Sequence, residues 1–260
     1  MNRSDVTFAA TALHQARLNG QLLDDLGAGA PHTLDEGYEI QDALAEAAAE
    51  SVAGWKVGCT GSAAQEMLGI PHPFAGRVLA PYLTSTPARF ASSAFQAPSV
   101  EGEIAFEMAA ELAPRSEPYS VADVEATVGG VRATIEVVDT RFANLRTAGG
   151  PNLIADVGAN GGLVVGELIT DWTNLDLAAL AVSMQVNGEI VGQGTGADVL
   201  GHPLESLAWL ANHLSSRGQA LAAGALVSTG TCTGVASLPA GAMAVTDHGP
   251  LGSVQLTWAR

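Results

Sequence analysis

The chain has 260 residues, 47% of them hydrophobic, and its 27 Asp and Glu residues outnumber 11 Lys and Arg residues, which gives a net charge of −16. This size and composition indicate one large domain or two small ones with a substantial core. The charge argues against nucleic acid as a partner, because binding to a phosphate backbone depends on Lys and Arg contacts. No apolar run approaches the roughly 20 residues that cross a bilayer, so no membrane partner is expected either.

The N-terminal segment has the spacing of amphipathic helices. Apolar residues recur every three or four positions from Phe8 to Ala16, and Gly20 stops the run. This pattern predicts a helix and not the apolar core of a secretion signal, so the default localisation is the cytoplasm. A second helix is predicted after Thr33, which has the spacing of a capping box with Glu36.

A short strand and a third helix are predicted next. The segment GWKVGCT at 54–60 favours a strand, and Ser62 to Leu68 favours a helix that Ser62 and Gln65 cap and Gly69 ends. Lys56 lies in the predicted strand between apolar neighbours, although lysine is almost never buried without a partner. Either a bound anion or carboxylate is its partner, or its ammonium group reaches the surface.

From residue 96 the hydrophobic period changes to two, which predicts a strand that carries Glu101 and Glu103. Residues two apart in a strand project from the same face, about 6 to 7 Å apart, so both carboxylates point the same way. Glu136 is a third carboxylate in an otherwise apolar strand. A buried cluster of this kind requires a cation, and three carboxylates suit Mg²⁺ or Mn²⁺ better than zinc. A solvated strand face is the alternative.

The remaining elements are mostly strands. Asn187-Gly188 is a strong hairpin signal, because both residues accept the positive φ of a type I′ turn. Pro203 begins a helix that ends before Gly218. Further predictions are a helix capped by Ser120, strands at 133–142 and 160–169, and two strands around the Gly-Pro turn near the end. The sequence therefore predicts an α+β fold, with a small helical N-terminal part (1–75) packed on a larger mixed β-rich body (76–260).

Other polar groups give weaker signals. The segment VSTGTCTG at 227–234 offers hydroxyl groups, Thr231 and Thr233 among them, that could hold a carboxylate, or it is simply a Thr-rich turn. The six histidines lack metal-ligand spacing, and His32 and His72 are the candidates for an acid or base. Two lone cysteines, Cys59 and Cys232, are expected in the core and not in a disulfide or zinc site.

Several segments in order resemble the 2-keto-4-pentenoate hydratase group of the fumarylacetoacetate hydrolase superfamily. The resemblance covers about residues 5–258 and is carried by GWKVGCT, VEGEIAFEM, IEVVDTR, IADVGANGGLVVG, GTGADVLGHPLESLAWLAN and LGSVQLTW. It implies a fold of the fumarylacetoacetate hydrolase type and a homo-oligomer built from dimers.

The resemblance also implies roles for individual residues. Glu101, Glu103 and Glu136 match the group's ligands for Mg²⁺ or Mn²⁺, and the first two are also candidate catalytic residues. Lys56 matches its active-site lysine, which would anchor the substrate carboxylate or shuttle a proton, with a pKa lowered by burial near a cation. The expected substrate-binding residues are Lys56, Phe74, Asn160, Thr231 and Thr233.

Members of this group act on short, anionic 2-oxo or 2-hydroxy-dienoic acids from aromatic-ring breakdown. The resemblance therefore implies a hydratase, with a 2-oxo-3-hexenedioate (4-oxalocrotonate) decarboxylase or a C–C bond hydrolase as alternatives. Phe74 in HPFAGRV stands where the hydratases carry an Asp, and the decarboxylase branch has an apolar residue there. GANGG at 158–162 also departs from the Ser-containing segment of both branches. A binding protein with a degenerate site is the non-enzymatic alternative.

Overall fold

The computed structural model describes the backbone of residues 1–260 and the side chains of all of them except residues 145–147. Its α-helices are α1 (Arg3–Asn19), α2 (Leu34–Ala48), α3 (Ser62–Leu68), α4 (Val121–Glu125), α5 (Leu145–Ala155) and α6 (Pro203–Ser216). Among the described residues, no helix has both the length and the hydropathy that crossing a bilayer requires.

The strands are β1 (Val52–Gly58), β2 (Phe74–Leu79), β3 (Leu83–Ser85), β4 (Ala88–Phe90), β5 (Ser99–Met108), β6 (Val128–Val138), β7 (Asn160–Val165), β8 (Ala181–Val186), β9 (Glu189–Thr195), β10 (Leu226–Thr231), β11 (Ala236–Ser237), β12 (Met243–Asp247) and β13 (Ser253–Trp258).

These strands form two sheets. The larger has eight strands in the order β2-β1-β10-β5-β6-β7-β3, with β11 paired to the start of β5. The smaller has five, in the order β4-β13-β12-β8-β9. Most neighbours are antiparallel, but β1 and β10 are parallel, as are β3 and β7 and also β4 and β13. The strand β5, which carries two candidate ligands, therefore lies in the middle of the larger sheet.

The larger sheet curls, so that strands distant in its order approach each other. β2 contacts both β7 and the turn at 157–159 that precedes β7. The approach is close at Gly76, where an added Cβ would lie 2.3 Å from the carbonyl oxygen of Val157. Side chains on the concave face of β1, β5, β6 and β10 consequently converge, and the candidate site lies there.

The N-terminal helices pack beside this sheet. α1 contacts α2, and α2 contacts α5, through a cluster that includes Leu13, Ile40 and Leu44. A larger apolar cluster fills the space between the two sheets and α6. The predicted α+β class, with helices packed on a larger β-rich body, is confirmed. The division at residue 75 stays a prediction, and β2 runs across it.

The helix predictions hold except at one cap. Gly20 and Gly69 end α1 and α3 in the left-handed conformation, and Thr33 and Glu36 form the predicted capping box. The capping box predicted for α3 is wrong, because Gly61 occupies the N-cap position and the Gln65 side chain instead donates to the carbonyl of Cys59.

The strand predictions hold with shifted ends. The Asn187-Gly188 hairpin joins β8 to β9, with φ of 53° and 83° at its two turn residues. The strand predicted at 133–142 runs from 128 to 138, and the one predicted at 160–169 ends at 165. The segment at 227–234 is more than a Thr-rich turn, because its first half belongs to β10.

Candidate functional site

Three glutamate side chains meet on the concave face of the larger sheet. Glu101 and Glu103 project from the same face of β5, and Glu136 on β6 lies directly opposite Glu101 in the antiparallel register. One ligand atom from each lies within 4.8 Å of the other two. Because the three residues are only 9%, 1% and 0% exposed, a solvated strand face is excluded.

Lys56 reaches this cluster from β1. Its Nζ lies 3.3 Å from Glu136 Oε1 and 5.0 Å from the centroid of the Phe74 ring, and the side chain is buried. Glycines make room for it, since a Cβ at Gly58 would lie 3.1 Å from Nζ and one at Gly158 would lie 3.0 Å from Cε. Lys56 therefore has a carboxylate partner, and the surface-lysine alternative is excluded.

The ionisable groups of the cluster shift each other's pKa values. Burial, followed by the charge of Glu136, raises the pKa of Glu101 to about 7. The same two causes raise the pKa of Glu103 well above its ordinary value, with Glu101 adding to them. Burial by itself lowers the pKa of Lys56, but the three carboxylates, Glu136 foremost, raise it above its ordinary value. The expectation of a lowered pKa at Lys56 is therefore not met without a bound cation.

Among the described residues, hydrogen-bond donors contact one of the two carboxylate oxygens of Glu103. Oε2 accepts from the Ser228 hydroxyl at 2.5 Å and from the Gly230 backbone N–H at 3.3 Å. Oε1 is buried and has no hydrogen-bond donor among the described residues.

Glu136 shows the same asymmetry. Its Oε1 accepts from the side-chain amide of Asn160 at 2.9 Å and lies beside Lys56 Nζ. Its Oε2 is buried without a donor in the described part of the chain.

These contacts fit a divalent cation. A buried anionic oxygen without a donor is unfavourable, and two of them beside a third carboxylate are more so. With all three carboxylates ionised and Lys56 protonated, the cluster has a formal charge of about −2, which one divalent ion neutralises. Oxygen ligands from three carboxylates suit a hard ion such as Mg²⁺.

The cluster opens into a cavity of about 460 Å³. Lys56 and Glu101 lie on its wall, and Gln193 and Asp198 are further polar residues there. Much of the remaining wall is apolar and comes from the inner face of α3 and from neighbouring elements, with Ala63, Ala64, Met67, Leu68, Phe74, Val138, Leu153 and Val235. A small anion with an apolar tail matches this combination.

The predicted substrate-binding residues divide into two groups. Phe74, Thr231 and Thr233 line the cavity with Lys56. The hydroxyl groups of Thr231 and Thr233 both donate to the carbonyl of Gly234, and the Thr233 hydroxyl also accepts from the Gly102 backbone N–H at 3.0 Å. Asn160 is buried behind Glu136 and is not among the residues that line the cavity.

The histidine candidates lie elsewhere. His32 is exposed, and His72 bonds the carbonyl of Pro73 and packs near Trp209. Neither lines the cavity. Cys232 is buried as expected, whereas Cys59 is half-buried at the cavity, where burial raises the pKa of its thiol to about 11.

Two contributors escaped the sequence analysis. Ser228 belongs to the segment at 227–234, whose hydroxyl groups are candidates for binding a substrate carboxylate, but its own hydroxyl donates to the carboxylate of Glu103 instead. His248 is fully buried, and its Nε2 lies 3.0 Å from the carbonyl oxygen of Glu103, to which it therefore donates. No local pattern marks His248, because the contact spans 145 residues of sequence.

Comparison with known proteins gives consistent similarities. The profile of the family "Fumarylacetoacetate (FAA) hydrolase C-terminal" matches residues 45–256. The chain is 32% identical to 2-hydroxyhexa-2,4-dienoate hydratase of Comamonas testosteroni, over 92% of each chain, and 29% identical to 2-keto-4-pentenoate hydratase of Burkholderia vietnamiensis, over 98% of each. The structure of 4-oxalocrotonate decarboxylase from Pseudomonas putida G7, complexed with magnesium and adipate, superposes with a TM-score of 0.90 at 29% identity, covering 99% of this chain and 98% of that one.

Proposed function

The chain belongs to the fumarylacetoacetate hydrolase family, and we propose that it is a metal-dependent hydro-lyase that adds water to a short 2-hydroxy-dienoate or 2-oxo-enoate. One observation carries the proposal. Glu103 and Glu136 are buried, and each has one carboxylate oxygen without a hydrogen-bond donor among the described residues, next to Glu101 and Lys56 on the wall of a largely apolar cavity.

Glu101, Glu103 and Glu136 would hold the cation, with Mg²⁺ or Mn²⁺ as the candidates. When bound, such an ion supplies a Lewis acid that polarises substrate oxygens and stabilises negative charge that develops on them. The structure of 4-oxalocrotonate decarboxylase from Pseudomonas putida G7 was solved with magnesium, which supports this assignment.

Lys56 would bind the carboxylate of the substrate. Its ammonium group is buried at the cavity wall, and the neighbouring glutamates raise its pKa, so it stays charged at neutral pH. A local cation is needed because the net charge of −16 repels an anion at longer range. Hydration also moves protons to and from carbon and water, and Lys56 and Glu101 are ionisable groups on the cavity wall that could transfer them.

The rest of the cavity would hold the hydrocarbon tail. Met67 and Leu68 from α3, with Leu153 and Val235, form an apolar surface that excludes water from the conjugated chain. Among the described residues that line the cavity, Lys56 is the one cationic side chain. A substrate with one carboxylate is therefore the better match.

A decarboxylase is the second candidate function, and Phe74 favours it. Phe74 is buried at the cavity wall beside Lys56, where the resemblance places an Asp in hydratases and an apolar residue in decarboxylases. Apolar surroundings also favour the loss of a carboxylate as neutral CO₂, because the charged form is poorly solvated there. The similarity to 4-oxalocrotonate decarboxylase supports this candidate as well.

One experiment separates the two. Chelated protein and protein reconstituted with Mg²⁺ or Mn²⁺ are incubated with 2-hydroxypenta-2,4-dienoate and with 2-oxo-3-hexenedioate, while ultraviolet absorbance and CO₂ are followed. We expect metal-dependent loss of the dienoate absorbance without CO₂. Release of CO₂ from the diacid alone would assign the decarboxylase, and inactivity with both would contradict both candidates and favour a C–C bond hydrolase.

A substitution at Phe74 tests the same question at one residue. Phe74→Asp should raise kcat/KM for dienoate hydration by at least about tenfold, because it adds an acid or base beside Lys56. Phe74→Leu is the matched control, since it changes the ring without adding a carboxylate. An unchanged rate in Phe74→Asp would mean that the proton donor lies elsewhere on the cavity wall.

By family membership and the names of its relatives, we further propose a place in the breakdown of aromatic compounds, a cytoplasmic location and a homo-oligomer built from dimers.

A further inference from the structure

We infer that Asn160 is a positioning residue for the candidate metal centre, because its side-chain amide fixes Glu136 and leaves Oε2 of that carboxylate available to a cation. The inference rests on the proposed function, since it assigns Asn160 a role only if the three glutamates bind a metal ion. It concerns the support of a ligand and not contact with substrate.

Two donors contact the same carboxylate oxygen of Glu136. Asn160 Nδ2 lies 2.9 Å from Oε1, and Lys56 Nζ lies 3.3 Å from the same oxygen. A carboxylate rotates readily about its last bond, and two donors from different strands on one oxygen restrict that rotation. Asn160 is 1% exposed, so water does not replace its donor.

A second candidate ligand, Glu103, also has donors on one carboxylate oxygen and none on the other among the described residues. Glu103 has Oε2 bound by Ser228 and Gly230, while Oε1 has no donor in the described structure. If the role of Asn160 were only to satisfy a buried carboxylate, there would be no reason for Glu103 and Glu136 each to have one oxygen without a donor among the described residues. In metal sites, ligating carboxylates are generally hydrogen-bonded by neighbouring groups, and these hydrogen bonds orient the oxygen that binds the metal.

The backbone turn just before Asn160 has an unfavourable conformation. Val157, Gly158 and Ala159 all have positive φ, at 47°, 70° and 60°, and this conformation is unfavourable for a β-branched residue such as Val157. Such a turn persists only where its surroundings hold it. It directs the chain from α5 into the first residue of β7, so that the Asn160 side chain lies beside Glu136.

Buried ionic groups hold this turn from outside the sheet. Arg17, near the end of α1, donates from Nη2 to the carbonyl of Asn160 at 2.7 Å and lies 3.6 Å from Asp156 Oδ1. The other oxygen of Asp156 accepts from the Arg141 backbone N–H at 2.6 Å. The N-terminal helix thus connects to Glu136 through the backbone and side chain of one residue.

The test uses Asn160→Ala and Asn160→Leu in the full chain. Alanine removes the donor and leaves space, whereas leucine removes it and fills a similar volume. After chelation, calorimetric titration with Mn²⁺ should give a Kd that is 10- to 100-fold higher than the parent's for both variants. Urea unfolding of the metal-free proteins reports their stability separately.

Asn152→Ala is the matched control. It also removes one asparagine hydrogen bond, from Nδ2 to the carbonyl of Ala148, but that bond lies within α5. Its affinity for Mn²⁺ should equal that of the parent.

The outcomes are distinct. Unchanged Mn²⁺ affinity in either Asn160 variant, with or without lower metal-free stability, would reduce Asn160 to a packing role and overturn the inference while the proposed function stands. A parent that binds no Mn²⁺ would overturn both. A weaker affinity in both variants, with the control unchanged, would support the inference.

Discussion

Glu101 and Glu136 lie directly opposite each other on neighbouring antiparallel strands, a position in which like charges repel. Burial adds to the cost, and burial together with the charge of Glu136 raises the pKa of Glu101 to about 7. A fold that keeps both residues without a cation gives up stability at neutral pH, and a bound cation restores it.

The substitution Glu101→Gln should therefore stabilise the chelated protein. We expect the free energy of unfolding in urea at neutral pH to rise by about 1 to 3 kcal/mol, because a buried like charge is removed. The same variant should bind Mg²⁺ more weakly.

Glu107→Gln is the control on the same strand. Glu107 pairs with Arg132 at 2.7 Å in a partly exposed position, so the substitution should cost up to about 1 kcal/mol and leave metal affinity unchanged. A loss of stability in chelated Glu101→Gln would contradict the account of the cluster.

At the scale of residues, the sequence predicts part of this site. The two-residue spacing places Glu101 and Glu103 on one face, since the period of a strand is a local property. The position of Glu136 opposite Glu101 depends on strand register, which no local pattern encodes. The sequence also does not indicate that Ser228 donates to Glu103, because 125 residues separate the two in the chain.

At the scale of elements, the cap of α2 gives a direct test. Thr33 Oγ1 accepts from the Glu36 N–H at 3.2 Å, whereas Ser62 is the first helical residue of α3 and Gly61 is its N-cap. Thr33→Ala should therefore lower the free energy of unfolding by about 1 kcal/mol. Ser62→Ala should change it by less than about 0.5 kcal/mol. Equal losses would mean that α3 is capped by Ser62, as the sequence pattern alone indicates.

Elements with strong local signals were predicted well. The Asn187-Gly188 turn and the helix that Pro203 begins depend on backbone preferences of a few adjacent residues. The sequence analysis does not predict β10, because its last four residues, STGT, have the composition of a turn, and its strand conformation comes from pairing with β1 and β5. Tertiary pairing overrides local preference there.

At the scale of the whole molecule, stability should fall in mild acid through His213. This ring lies between Tyr38 and Trp209, with centroids 4.6 Å and 5.1 Å away, and its Nε2 has no partner among the described groups. Burial, followed by the positive charges of Arg217 and His72, lowers its pKa to about 4, while Asp35 and Asp42 oppose the shift.

The sign follows from proton uptake. Below the ordinary value of 6.5 the unfolded chain binds a proton that the folded chain refuses until about pH 4, so stability is lost between these values. We expect a contribution of up to about 3 kcal/mol. Urea unfolding at pH 7 and pH 4 should show a smaller loss for His213→Phe than for the parent. His32→Phe, at an exposed position, is the control, and equal losses in parent and His213→Phe would contradict the assignment.

The fold brings Glu101, Glu103 and Glu136 together, and we propose that they bind one divalent cation. Calorimetric titration of the chelated protein with Mg²⁺ and Mn²⁺ tests it most directly, with Glu103→Gln as the comparison. We expect about one ion bound per chain in the parent and at least about 100-fold weaker binding in Glu103→Gln, which has the same shape but lacks a charged ligand. Absence of binding in the parent, or equal affinity in Glu103→Gln, would contradict it.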